Sequence, residues 1–441
     1  MIETNLSRAL RLDKTSHTVV SFTGAGGKTT ALFQLARELS AHKAVVVTAT
    51  SHLGLWQIPL ADRHIITKGQ GKIEIPAGGV TLVTGEIEGN RTQPVNNVTL
   101  DWLHAESKRQ NTPLLIEADG SRQKPLKAPT THEPPIPEFS ELVVHIAGLS
   151  ALGKPLTDEH VHRAEIFSKL SGLPLGSPVT TQAIAKVLTR PQGGLKNIPP
   201  HARRIVLLNQ ADTPELQSIG SGMAYELLNY FDALLIGSLQ NSVLHTFECT
   251  AGIILAAGES SRFGSPKQLL TWKGKPFVRQ VAETALQTGL WPVVVVTGFR
   301  ATDIESALSG LPVAIVHNPD YQQGQGTSIR AGVDSLSDKV GAAIFLLADQ
   351  PQIPVEVIQA LVESHGREMQ TILAPLVLEE RRANPVLFDR DTFPDLLQLK
   401  GDVGGRAIFD KHRVEYLPWH DDILLLDVDK PEDYDRLKEL E

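Results

Sequence analysis

The side chains best placed for chemistry lie in Ala256-Ala257-Gly258-Glu259-Ser260-Ser261-Arg262-Phe263-Gly264-Ser265-Pro266-Lys267, directly after the apolar stretch from Ala251 to Leu255. Small residues at the end of a buried strand let backbone N–H groups approach phosphate oxygens, and Arg262 and Lys267 carry charge that neutralises them. A glycine turn alone says little, but one followed at this spacing by Arg and then Pro-Lys points to a loop for a nucleoside triphosphate. Asp349 ends a second apolar run, Ile344-Phe345-Leu346-Leu347-Ala348. In an open α/β sheet the carboxyl ends of the strands form the ligand crevice, where Mg²⁺ takes one or two carboxylates together with phosphate oxygens. The second carboxylate comes from Leu424-Leu425-Leu426-Asp427-Val428-Asp429, ahead of a final helix opened by Pro431. Alternation puts Asp427 and Asp429 on one face of a strand, so pattern does not separate them; Asp429 is assigned. Either aspartate alone would read as a cap or a turn residue, and the triphosphate loop is what turns the pair into metal ligands.

A second phosphate signature stands near the start of the chain. The apolar stretch Thr18 to Phe22 runs into Thr23-Gly24-Ala25-Gly26-Gly27-Lys28-Thr29-Thr30 and then the helical run ALFQLARELSA. This reads as a short P-loop in which backbone amides from Gly24, Gly26, Gly27 and Thr30 cradle phosphates, Lys28 reaches the terminal ones and the Thr29 hydroxyl ligates Mg²⁺. The usual GxxxxGK[ST] spacing would need glycine where Phe22 stands, leaving the compact form GxxGKTT. Leu114-Leu115-Ile116-Glu117-Ala118-Asp119-Gly120 brings Glu117 and Asp119 to another strand end, as metal or water-positioning partners of such a loop, with Asp119 assigned to the metal beside Thr29. His52, His132, His160 and His162 lack thiolate partners and read as solvated or capping residues. The lone cysteine, Cys249, reads as inert.

These loops need scaffolds. Strand-length apolar runs recur at 17–22, 44–48, 114–118, 142–147, 204–208 and 233–236, and again at 251–255, 292–297, 313–317, 342–348, 372–375 and 423–427. Continuous apolar runs separated by helical periodicity predict strands covered on both faces, hence an α/β class. A chain of 441 residues exceeds one ordinary core. The pattern lapses between Leu239 and Thr250, which predicts domains at 1–243 and 250–441. One cysteine excludes an internal disulfide or a multi-thiolate cluster and fits a reducing compartment. The opening MIETNLSRALRLDK has no signal-type apolar core and no run is long enough to span a membrane, so a cytoplasmic protein is expected. A net charge of −8 without a basic block argues against nucleic acid.

The residues from Ala251 onward resemble the molybdenum cofactor cytidylyltransferase family, within the wider nucleotidyltransferases. The likeness rests on the LAAGxSxRFGxPK loop, on Gly324-Gln325-Gly326-Thr327-Ser328-Ile329, on Asn384-Pro385-Val386-Leu387-Phe388 and on Gly401-Asp402-Val403-Gly404-Gly405-Arg406. It implies a Rossmann-like, GT-A-like domain with a mostly parallel sheet. Leu255, Ala256, Ala257 and Gly258 with Gly326, Thr327 and Ser328 would then hold CTP, Arg262 and Lys267 its triphosphate, Asp349 and Asp429 the Mg²⁺, and Asn384, Pro385, Asp402 and Arg406 the acceptor. The implied reaction is in-line attack by an acceptor phosphate, molybdopterin or the molybdenum cofactor, on the α-phosphorus of CTP. Sugar- or alditol-phosphate nucleotidyl transfer uses the same residues.

The first half resembles YqeC-type accessory proteins of selenium-dependent molybdenum hydroxylases. The likeness is carried by GAGGKTT, Thr48-Ala49-Thr50-Ser51-His52, EADGSR followed by Lys124-Pro125-Leu126-Lys127-Ala128-Pro129, His132-Glu133-Pro134, Leu152-Gly153-Lys154-Pro155-Leu156 and Val161-His162-Arg163. It implies a P-loop-like domain that binds ATP or another nucleotide, with such a hydroxylase as partner, acting as an ATP-driven enzyme or as a nucleotide-switched carrier. Joining the halves would raise their effective concentration around one cofactor.

Overall fold

Apolar strands buried along their length need cover on both faces, and helices such as Lys28–Ser40 after Val19–Gly24 and Val355–Glu368 after Val340–Leu347 supply it. The computed structural model describes residues 5–14, 17–68, 73–259, 263, 265–378 and 381–440. The chain forms two units, Met1–Phe247 and Glu248–Glu441. Among the described residues no helix is long and apolar enough to cross a membrane.

In the first unit nine described strands lie in the order Val243–Phe247, Ala233–Ser238, Arg203–Asn209, Leu142–Gly148, Val19–Gly24, Leu114–Glu117, Val45–Ala49, Val80–Thr84, Arg63–Ile66. Only the first pair is antiparallel. Strand alternation divides the core into layers: Val20 and Phe22 pack with Leu32 and Leu35 of the helix Lys28–Ser40, while Val19 faces Leu103 and Ile116 on the other side. The central strand Val19–Gly24 runs between Leu142–Gly148 and Leu114–Glu117, so its carboxyl end meets the ends of both neighbours. A separate three-stranded sheet joins Leu53–Gly54, Arg91–Thr92 and Ile87–Glu88.

The second unit's sheet runs Ala314–His317, Val293–Thr297, Cys249–Ala256, Val340–Leu347, Val386–Asp389, Ile372–Val377, Arg381–Arg382, with Val414–Trp419 also paired to Ile372–Val377. The first four strands are parallel; Val386–Asp389 is antiparallel to both of its neighbours. Ile254 and Ala256 face Val278, Val281 and Ala282 of the helix Phe277–Gln287, whereas Ala251 and Ile253 face Ile329 and Val333 of the helix Gln325–Asp334.

Two expectations change. The run at 423–427 is not a strand: Asp422–Leu425 is a 3₁₀ helix. Leu424 is buried beneath the sheet, and Gln352 Nε2 donates to Leu426 O at 2.6 Å where a strand would have found a backbone partner. The lapse at 239–250 conceals the strand Val243–Phe247, whose residues alternate between half-buried and buried and so break the continuous apolar pattern. The next strand begins at Cys249, two residues before Ala251.

Candidate active site

In the second unit, strand Cys249–Ala256 ends with Ala256 fully buried and passes the chain to Ala257 and Gly258 at the rim of a cavity of about 350 Å³. Gln268 Nε2 donates to Gly258 O at 2.8 Å and fixes the turn. Lys267 opens a short 3₁₀ helix, and its ammonium meets two carboxylates that come from distant parts of the chain: Asp349 Oδ2 at 2.8 Å and Asp429 Oδ1 at 2.9 Å. Burial alone would lower the Lys267 pKa, but Asp349 and then Asp429 raise it, so the side chain stays charged. Arg262 lies outside the described residues.

Asp427 and Asp429 part company, since their segment is not a strand. Asp429 Oδ1 reaches Lys267, whereas Asp427 accepts from Gln350 Nε2. Desolvation pushes the Asp427 carboxyl up, and the charges of Asp349 and Asp429 add to that, while Gln350 and Lys267 oppose it. Of the loop residues Gly326, Thr327 and Ser328, Ser328 lines the cavity beside Leu255 and Asp349. Gly326 donates its N–H to Gly401 O, and the buried Thr327 hydroxyl donates to Gly324 O at 2.9 Å while accepting from Asn318 Nδ2, so these two fix the start of the helix.

An adjoining cavity of about 440 Å³ shares Leu255, Gln325 and Leu347 with the first. Asn384 and Arg406 line it, as do Arg381, Arg382, Gln350 and Asp427. Pro385 is buried behind Asn384, and Asp402 lies on the wall of the smaller cavity instead, where its Oδ1 is 3.4 Å from Gln325 N. Gln268, Gln350 and the arginines at 381 and 382 belong to no motif in the sequence. Their only signal is position, next to a motif or at a strand end.

The first unit has a cavity of about 770 Å³ at the carboxyl end of its central strand, lined by Gly26, Gly27, Lys28, Thr29, Thr30, Glu117, Arg122 and Lys124 among others. Gly24, Gly26 and Gly27 adopt φ of 89°, 85° and 124°, and a Cβ on Gly26 would stand 2.5 Å from Gly148 N. Within the loop, Gly24 N donates to Asp119 Oδ2, Ala25 N to Ile146 O and Gly26 N to Lys124 O. The helix Lys28–Ser40 has no side-chain cap, so its first-turn N–H groups are the donors left to face a ligand. Lys28 is buried; its Nζ donates to Gly24 O at 2.7 Å and lies 3.3 Å from Asp119 Oδ1. Thr29 Oγ1 donates to Glu117 Oε2 at 2.9 Å, which makes Glu117, not Asp119, the carboxylate beside the threonine. Burial pushes the Glu117 carboxyl up, Lys28 and Thr29 opposing.

Asp119 sits instead between Lys28 and Lys127, whose Nζ is 2.8 Å from Asp119 Oδ2 and 3.1 Å from Glu133. Arg163 completes the chain of charges on Glu133. Burial works against it, yet Arg163 and Lys127 hold the Glu133 carboxyl at about 2. His145 Nδ1 pairs with Thr23 Oγ1, and burial lowers its imidazole to about 4. Burial, followed by Arg163, does the same to His162. Of the other histidines, His52 lines the cavity; among the described residues no group of three or more His, Cys, Asp or Glu is placed to hold a metal.

Comparison with known proteins divides the chain the same way. The YqeC protein family matches residues 20–165 and the MobA-like NTP transferase domain matches residues 252–416. The uncharacterized protein YqeC of Escherichia coli (strain K12) is 31% identical over 230 residues, 51% of this chain and 88% of its own length. Nicotine blue oxidoreductase of Paenarthrobacter nicotinovorans is 32% identical over 201 residues, 44% of this chain and 95% of its own. Purine catabolism protein PucB of Bacillus subtilis (strain 168) is 31% identical over 206 residues, 42% of this chain and 95% of its own. The chain therefore belongs to two families joined end to end, the YqeC proteins through its first half and the MobA-like NTP transferases through its second, which is a nucleotidyltransferase.

Proposed function

We propose that the second unit transfers CMP from CTP to molybdopterin or the molybdenum cofactor with release of pyrophosphate, and that the first unit is a nucleotide-binding accessory for a selenium-dependent molybdenum hydroxylase. The observation that carries the first part is the meeting of Asp349 and Asp429 on Lys267 at the rim formed by Ala257 and Gly258. Two oxygen donors a single ammonium apart are a suitable pair for a hard divalent cation, and Asp349 and Asp429 would hold Mg²⁺, which when bound screens the charge of the triphosphate. Lys267 then turns to the phosphate oxygens. The acceptor phosphate oxygen, oriented from the larger cavity by Arg406 and Asn384, forms a bond to the α-phosphorus, and the bond to the β-phosphate oxygen breaks with its electrons leaving on pyrophosphate. No protein nucleophile is needed: Lys267 stabilises charge and the cavity walls align the reactants.

In the first unit the phosphate end would lie on the first turn of the helix Lys28–Ser40, with Lys28 leaving Gly24 O and Asp119 to meet it, and with Thr29 and Glu117 as the oxygen pair for a cation. Mass spectrometry of products after incubation with Mg²⁺, molybdopterin and CTP, GTP or UTP tests the transfer: a CMP adduct formed with CTP alone supports the reading, and an adduct with another base alone overturns the choice of CTP.

A further inference from the structure

Part of the lining of the first unit's cavity lies outside the glycine loop. Gly54, Asn90 and Arg91, in or beside the three-stranded sheet of Leu53–Gly54, Arg91–Thr92 and Ile87–Glu88, line it, and the chain leaving Gly54 adds Trp56 and Gln57. Trp56 is 60% exposed, unusual for the largest apolar side chain. Its indole lies against Gly54, where a Cβ would come within 2.5 Å of Trp56 Nε1, so a glycine is what lets the ring settle over the backbone. Gln57 is 6% exposed; its Nε2 donates to Thr29 Oγ1 at 3.0 Å, while its Oε1 is buried with no hydrogen-bond partner. A buried acceptor left unmet costs stability unless a ligand supplies the donor.

Arg122 and Gln123 both take left-handed backbone, with φ of 50° and 61°, and the 120–124 segment, with Arg122 and Lys124, lines the same cavity as the first turn of the helix. The cavity therefore combines cationic and N–H donor groups with one exposed indole.

We propose that this cavity is a complete nucleoside triphosphate site in which the base stacks on Trp56, the Gln57 carbonyl accepts from the nucleoside or from its bound water, and Arg122 and Lys124 flank the phosphates at the first turn of the helix. This rests on the nucleotide reading of the first unit given above and goes further in assigning the base to a wall outside the GxxGKTT loop. Stacking on an aromatic ring is tolerant of base identity, so the site selects a purine or pyrimidine triphosphate over a bare polyphosphate more strongly than it selects among bases.

The test is equilibrium dialysis of the full chain with ATP and, separately, with inorganic tripolyphosphate, both with Mg²⁺. Sites attributed to the first unit are those that Lys28→Ala abolishes; the second unit's cavity contributes a constant background. Trp56→Ala should weaken this ATP binding by about tenfold or more while leaving tripolyphosphate unchanged, and Trp56→Phe should restore most of it. ATP should also quench tryptophan emission in the wild type and much less in Trp56→Phe. Pyrophosphate release by the second unit, unchanged in every Trp56 variant, shows that the variant chains are folded there, and tripolyphosphate binding shows it for the first unit. Unaltered ATP binding in Trp56→Ala, with the Lys28-dependent site still present, overturns the stacking assignment and leaves the phosphate reading standing. Absence of any Lys28-dependent ATP or tripolyphosphate binding in the wild type overturns both.

Discussion

Lys267 is held by carboxylates whose positions differ from its own by 82 and 162 residues, and a lysine so held is already charged before any substrate arrives. If that charge stabilises the transition state, Lys267→Ala lowers kcat for pyrophosphate release by roughly two to three powers of ten with folding intact, as for other preorganised electrostatic groups. Steady-state phosphate-coupled assays read this directly. The two late aspartates should separate: Asp429→Asn raises the Mg²⁺ concentration needed for half-maximal rate at least about tenfold, as does loss of a ligand or its close partner, whereas Asp427→Asn leaves it within about twofold because Asp427 is engaged by Gln350. A Mg²⁺ titration of both variants checks this, and equal effects would contradict the division of roles. Lys267 was legible from the Pro-Lys that ends its glycine loop, and Asp349 and Asp429 from the apolar runs before them. Gln268, Gln350 and Trp56 were not, because a side chain that fixes a turn or floors a cavity carries no spacing rule.

Buried histidine adds a pH dependence at the same scale. His145 is 8% exposed and its folded pKa is about 4 against an ordinary value of 6.5, mainly through burial. The unfolded chain therefore takes up a proton as pH falls below about 6.5 and the folded one does so only near 4, so stability is full above the upper value and declines between the two, by up to about 3 kcal/mol for a single group. The difference in calorimetric stability between wild type and His145→Gln, followed from pH 7 to pH 4.5, should shrink steadily on acidification. A pH-independent difference would mean that His145 titrates in the fold as it does in the unfolded chain, and would overturn this assignment.

At the scale of elements, the glycine loop is a device for closing the gap between three strand ends. Gly26 has φ of 85°, and a side chain there would collide with the backbone of Gly148 and with Pro125 O, which themselves are joined by the hydrogen bond from Gly148 N to Pro125 O at 2.8 Å. Gly26→Ala should thus destabilise the first unit by roughly 2 kcal/mol or more and abolish its nucleotide binding, while pyrophosphate release by the second unit persists. Urea unfolding and the release assay read the two effects separately. The central strands were legible because they are apolar throughout: 142–147 was expected and Leu142–Gly148 is found, 233–236 was expected and Ala233–Ser238 is found. The strand Val414–Trp419 was not, since its residues are half-buried at best and a proline interrupts it. The run at 423–427 misled for the converse reason: burial gives an apolar sequence to a 3₁₀ turn and to a strand alike, and only the partner of the backbone tells them apart.

At the scale of the whole molecule the question is what the fusion supplies, given that each unit has its own sheet, core and cavities. Only Glu248 separates the last strand of the first unit from the first strand of the second, so that the two units are present in equal number on one polypeptide. The organisation was visible in the sequence as two strand–glycine–lysine signatures, each at the head of its own alternation of strands and helices, whereas the join was obscured by the half-buried strand Val243–Phe247. Tethering changes no contact within either unit; it replaces a bimolecular encounter by one at an effective concentration on the order of millimolar. A chain carrying a protease site at Glu248 should accordingly keep, after cleavage, both pyrophosphate release and ATP binding within about twofold of the intact protein. If the first unit serves a selenium-dependent molybdenum hydroxylase as proposed, activation of the cofactor-free hydroxylase should fall by about tenfold or more at nanomolar protein and recover as the protein is raised towards the effective concentration. Activation that is indifferent to cleavage at every concentration would mean that the two families share a chain without sharing a substrate, and the accessory role of the first unit would have to be sought elsewhere.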